Sequence, residues 1–229
     1  MNKHLDYLKN SYYRIYDNPV GEIKIQGILV YIKEALPQNI DMRGCINFVL
    51  SRMPKSVMGN INRIMIGKFP FLTTRKVDAV YDDGIIYITN NHTSDMDFLT
   101  DLVHEIGHSF EESNKSFLYQ DEKIKNEFLH KRNKLYELLQ SNGLIVDSIT
   151  KNHFENCNYD VHFDKFLYET LGYNLLRNYT EGLFVSPYAS TSLREYFGNA
   201  FENFFTNDMF VVKKISPNVY NKLVEFLEF

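Results

Sequence analysis

Residues 98–110 carry the pattern that most narrows what this chain can fold into. Phe98, Leu99, Leu102, Val103, Ile106 and Phe110 recur at three and four, which predicts an amphipathic helix with a buried stripe. Ser94 or Asp95 is placed to cap it. Set into that same helix is His104-Glu105-Ile106-Gly107-His108. A helix that must be buried, yet carries two imidazoles and a carboxylate in its middle, needs a partner for those polar groups. It therefore requires both a core to lie on and a polar centre to face.

The spacing says what the centre is. Residues four apart lie one above the other on a helix, so His104 and His108 can reach one ion. Glu105 is rotated by about 100° from His104 and can reach a water held by that ion without ligating it. Zinc suits such a set, because it accepts imidazole nitrogen and carboxylate oxygen tetrahedrally and leaves one position open. Zinc polarises a scissile carbonyl and acidifies water, while a neighbouring Glu moves the proton. Gly107, beside the second histidine, allows another element to approach closely. The structural alternative is a pair of satisfied histidines on an ordinary helix, or a closed structural zinc site. A structural site needs no Glu at position 105 and usually fills the fourth position.

A third protein ligand is needed. The residues after His108 are Ser109, Phe110, Glu111 and Glu112, so the three-histidine extension of the motif is absent, and Glu111 and Glu112 are too near on the same helix to complete the site. Downstream candidates are Glu155, Glu169, Glu181, Glu195 and Glu202. Glu195 stands out because Thr191 or Ser192 can cap a helix that places it in the first turn, with Phe197, Ala200, Phe201 and Phe204 as the buried stripe. Glu202, seven residues on, lies on nearly the same face, so periodicity alone does not choose between them. Tyr188, in the loop feeding that helix, is a candidate donor to a developing oxyanion, against the plainer role of packing in a turn at Pro187.

His104-Glu105-Ile106-Gly107-His108 together with Tyr188, Glu195-Tyr196-Phe197 and Ala200-Phe201 resembles the catalytic domain of the anthrax lethal factor and Pro-Pro endopeptidase family, over residues 80–112 and 186–205. The resemblance implies a zincin-like fold, one zinc per chain on His104, His108 and Glu195, Glu105 as base, Tyr188 beside the oxyanion and hydrolysis of an extended polypeptide. Relatives tend to carry an acidic residue one turn after the glutamate ligand. Here Asn199 stands at that place, and its amide is expected to orient a ligating histidine less basically.

The rest of the chain reads as α+β: a small mixed lobe over about 1–112 and a mainly helical lobe over about 113–229, forming one domain. Helices are expected over the first eighteen residues (Leu5, Leu8, Tyr12, Ile15, Tyr16), Glu22 to Leu36, Ile46 to Arg52, Asp121 to Gln140, Phe163 to Leu171, Leu193 to Phe205 and after Pro217. Strands are expected at 61–67, 76–81 and 85–89, the last two as a hairpin turned at Asp82-Asp83-Gly84. Met209-Phe210-Val211-Val212 reads as a final strand or buried loop. The strand Ile85 to Thr89 suggests an edge for pairing with substrate backbone, with Tyr81, Tyr87, Phe184 and Tyr188 as subsite candidates. His92, before the ligand helix, is expected to touch substrate or lie on the surface.

Net charge is −4, and the basic residues form no run, which argues against nucleic acid as a partner. Neither an apolar signal segment nor a run of eighteen apolar residues is visible, so the expectation is a cytoplasmic protein, or one released without a conventional signal, that does not span a membrane. Cys45 and Cys157 are expected to be free. Within enzymes, the competing reading is a zinc amidase on cell-wall peptide; outside them, a non-catalytic zinc-containing binding protein.

Overall fold

A computed structural model describes Asn18 and residues 20–228. The expected helix over the first eighteen residues lies outside the described part. By internal contacts the chain divides into one compact unit up to Ser113 and a second from Asn114. The architecture is mixed α+β.

The first unit is built on a sheet in the order β1-β2-β3-β5-β4. Its strands are β1 (Gly21–Ile25), β2 (Ile28–Ile32), β3 (Arg63–Ile66), β4 (Ala79–Asp82) and β5 (Ile85–Ile88). β2, β3 and β5 run parallel, and the two outer pairs are antiparallel hairpins. Register places Val30, Ile64, Ile86 and Tyr81 in one row across the sheet and Ile32, Ile66, Ile88 and Ala79 in the next. All eight are buried. Alternation along a pleated strand puts them on one face. Helices α1 (Met42–Arg52) and α3 (Asp95–Ser113) pack against each other, and α3 also packs on β4 and β5. A short α2 (Pro70–Arg75) lies between β3 and β4.

Residues 22–36 overturn the helical expectation. Ile25, Ile28, Leu29 and Ile32 do recur at three and four, but the same segment alternates as Ile23, Ile25 and Ile28, Val30, Ile32. Gln26 and Gly27 sit at positive φ, 46° and 100°, the conformation a two-residue hairpin turn demands. β-branched side chains and that turn outweigh an accidental helical spacing. The β4–β5 hairpin forms as expected, with Asp83 and Gly84 in the equivalent turn. β5, however, is interior, paired on both sides, and among the described residues the edge strand on its side of the sheet is β4.

The second unit is helical: α4 (Lys115–Tyr119), α5 (Lys123–Ser141), α6 (Lys151–Glu155), α7 (Val161–Lys165), a π-helical stretch (Phe166–Gly172), α8 (Tyr173–Thr180), a 3-10 turn (Tyr188–Ser190), α9 (Leu193–Thr206), α10 (Met209–Ile215) and α11 (Pro217–Glu228). The expected helix at 163–171 is thus an α turn that widens into a π stretch. α5 fastens much of this unit through polar side chains. Lys131 donates to the carbonyls of Leu183 (2.8 Å) and Ile215 (2.5 Å). Glu127 accepts from the Tyr196 hydroxyl (2.7 Å) and from the backbone (3.0 Å) and side-chain (2.8 Å) nitrogens of Asn218.

Residues 209–212 also depart from expectation. They open a helix whose second N–H, that of Phe210, is accepted by Asp208 Oδ1 at 2.9 Å. Only Val212 of the four apolar side chains is buried, and Phe210 is 64% exposed, so this is neither strand nor buried loop. Both cysteines are free, Cys45 buried and Cys157 half-buried. Among the described residues no helix is long and apolar enough to cross a membrane.

Candidate metal centre

α3 is held firmly at its start. Ser94 caps it, its Oγ accepting the Asp97 N–H at 3.1 Å, and Asp95 and Asp97 lie in the first turn, where the helix dipole favours negative charge. Asp95 Oδ1 accepts the Asp41 N–H at 2.6 Å, which ties the beginning of α1 to the beginning of α3. Further along, the Asn60 N–H donates to Ser109 Oγ at 3.1 Å. Gly59 makes that approach possible. A Cβ there would lie 2.7 Å from the Ser109 carbonyl carbon and oxygen, and φ is +62°. The turn therefore seats on α3 one residue past His108.

On this helix the His104 and His108 rings lie edge to face, with centroids 4.6 Å apart. His108 is buried and His104 half-buried. The carboxylate of Glu111, three residues on, comes within 3.6 Å of His108 Nδ1. Sequence reasoning set Glu111 aside as a ligand and did not see this; i,i+3 spacing was the available signal. Glu105 is 7% exposed, and its Oε2 accepts the Tyr81 N–H at 2.5 Å. The Thr89 N–H bonds to the Asp78 carbonyl. Antiparallel alternation then turns the main-chain groups of Tyr81 away from β5, toward the open edge of β4. Glu105 is thus docked on the backbone of the sheet's edge strand, a contact no side-chain pattern announces.

α9 begins as anticipated. Ser192 Oγ accepts the Glu195 N–H at 3.2 Å and sets Glu195 in the first turn. Tyr196, Phe197, Ala200 and Phe201 are fully buried behind it. The preceding turn closes on itself, the Thr191 hydroxyl donating to the Tyr188 carbonyl (2.8 Å) and the Ser190 hydroxyl to that of Pro187 (2.7 Å). Tyr188 is half-buried, its ring 6.4 Å from that of Tyr168. Asn199 differs from expectation. Its Nδ2 donates to the Glu195 carbonyl (2.9 Å) and its Oδ1 accepts from the Ser186 hydroxyl (2.5 Å), so the amide fixes the turn and helix rather than a histidine.

His104, His108 and Glu195 form a group able to hold a metal ion, one ligand atom of each lying within 4.8 Å of the others. Glu155, Glu169, Glu181 and Glu202 do not belong to it, nor does Glu105. Asp164 and Glu169 are acidic neighbours of this region. Burial, and after it the charges of Glu169 and Glu195, hold the Asp164 carboxyl above the usual range against the opposing Tyr159 hydroxyl.

The other expected contacts sort by burial. Tyr81 and Phe184 are core residues, Phe184 packing on Phe128 and Tyr196. Tyr87 joins a ring cluster with Phe69 and Phe71. His92 is not a surface residue. It is 6% exposed, and its nitrogens meet the Thr89 carbonyl (3.0 Å) and Asp101 Oδ2 (2.8 Å). No family model, curated protein or solved structure matches the chain.

Proposed function

We propose that the chain is a zincin-like metalloendopeptidase that hydrolyses peptide bonds in an extended polypeptide. The observation that carries the reading is the convergence of His104, His108 and Glu195 as possible ligands, with Glu105 buried on the same helix but outside the ligand group. Two imidazoles and one carboxylate match the donor set of an open catalytic zinc site better than the all-oxygen set favoured by magnesium or calcium. Bound there, zinc supplies a Lewis acid for the scissile carbonyl and a water of lowered pKa.

This chain's residues supply the rest. Glu105, oriented by the Tyr81 N–H, takes the proton of the attacking water and delivers it to the leaving amine. The outward main-chain groups of β4 other than the Tyr81 N–H, which Glu105 occupies, pair with an extended substrate and place its backbone beside Glu105. The Tyr188 hydroxyl donates to the oxyanion as charge develops.

The test joins metal analysis to a peptide-library digest. Purified protein should hold one zinc per chain and cleave peptides. Glu105→Gln should keep the zinc and lose about 10²–10⁴-fold in kcat. A zinc-free protein, or a Glu105→Gln variant with unchanged kcat/KM, would refute the reading.

A further inference from the structure

Arg132, on α5, has no part in the chemistry above, yet it is 1% exposed. A buried charge is costly and is retained only where its surroundings compensate it. Here the compensation comes from backbone carbonyls and rings. Nη1 donates to the carbonyls of Ser190 (2.6 Å) and Thr191 (3.1 Å), and Nη2 donates to that of His153. The guanidinium lies 4.1 Å from the Phe163 ring centroid, with Phe128 and Phe154 at 5.2 and 5.7 Å. Burial lowers its pKa to about 9, which leaves it charged at neutral pH.

The carbonyls it holds are particular ones. Ser190 ends the turn that begins at Tyr188, and Thr191 precedes Ser192, whose side chain caps Glu195. The body of α9 is already secured by its buried stripe, by Tyr196 on Glu127, and by the Leu193 N–H on the Cys157 carbonyl (2.8 Å). The hydrogen bonds of Arg132 go instead to the backbone ahead of that stripe and to His153. They immobilise the short link between Tyr188 and Glu195. An apolar side chain of similar volume could fill the space among the three rings but could not bind two successive carbonyls.

We infer that Arg132 is a positioning residue for the proposed metal centre, clamping the Ser190–Thr191 backbone so that Glu195 and Tyr188 keep one geometry. The inference rests on the metallopeptidase reading and is separable from it. Arg132→Met, Arg132→Lys and Phe163→Leu would be made in the full chain. Each would be titrated with cobalt(II), whose visible spectrum reports ligand geometry, and with zinc against a chelator. Turnover would be measured well below each variant's melting temperature.

Arg132→Met should bind metal about 10-fold or more weakly, the usual size of an indirect effect on a ligand. Its cobalt spectrum should change, and kcat should fall with KM little altered. Arg132→Lys, which restores a cationic donor, should recover part of each loss, and Phe163→Leu should fall between. If Arg132→Met does not fold, the other two variants decide. Wild-type affinity, cobalt spectrum and kcat in the folded variants would reduce Arg132 to a structural role. A wild-type chain that binds neither cobalt nor zinc would overturn the reading of the centre itself, and this inference with it.

Discussion

The segment up to Ser113 and the segment from Asn114 reach order by different means. In the first, two rows of apolar side chains run across a sheet and meet the stripes of α1 and α3. Such packing is non-directional, and each buried aliphatic side chain is worth about 1.5–3 kcal/mol. In the second, rings fill the core, but directed contacts from one helix fasten the loops: Glu127, Lys131 and Arg132 of α5 each hold backbone or hydroxyl groups far away in sequence. Apolar packing tolerates exchange of similar shapes, whereas a charged clamp fails when one atom is lost. The prospective ligands divide the same way. His104 and His108 sit in the middle of a packed helix, while Glu195 stands in a first turn whose position depends on caps and clamps.

The difference predicts where metal binding is fragile. Glu195→Ala should weaken zinc by at least about 10²-fold, beyond the 10–100-fold typical of indirect contacts, while Glu202→Ala should leave it unchanged. Chelator competition on both variants checks this, and the reverse ranking would remove both the ligand assignment and the Tyr188 role that depends on it. Tyr188→Phe should lower kcat by about 10²-fold with zinc content intact. Unchanged turnover would leave Tyr188 as a packing residue of its turn.

A perturbation of the first region should register as stability instead. Gly59→Ala sets a methyl against the main chain of Ser109 and forces a strained φ. The expected loss is about 1–3 kcal/mol, read by urea denaturation, with zinc per folded chain retained. Undiminished stability would mean that the turn can withdraw from α3.

The same contrast explains what could be read in advance. α3, α9 and the β4–β5 hairpin were legible because each announces itself locally: Ser94 and Ser192 as caps, Asp83-Gly84 as a turn, and apolar stripes between. Residues 22–36 misled because two periods coexist in one isoleucine-rich stretch, and only pairing with β3 decides between them. The α10 segment misled because four apolar residues imply burial only if something covers them, which sequence does not state. Arg132 and the Tyr81–Glu105 contact were invisible because their partners are backbone atoms, which carry no residue identity. Glu195, by contrast, was singled out through the cap ahead of it, a local signal, and Ser192 does cap its turn.

His92 tests the comparison from the other side, since it is a directed polar contact inside the region held mainly by packing. Burial opposes its protonation, but the hydrogen bond and charge of Asp101, aided by the Thr89 carbonyl and Asp78, outweigh burial and raise its pKa. Asp97 also faces it electrostatically. A histidine whose folded pKa is raised contributes stability that is fully present below its unfolded value, about 6.5, and is lost as pH climbs through the folded value. Asp101→Asn should therefore cost more at about pH 5.5 than at about pH 8.5. The difference should be about 1 kcal/mol or less, because Asp101 is partly solvated. Urea unfolding of the wild type and the variant at both pH values gives that difference directly, with titration of the other histidines cancelling between the two chains. A penalty of equal size at both values would mean that His92 stays neutral and that the loop before α3 is held by hydrogen bonding alone.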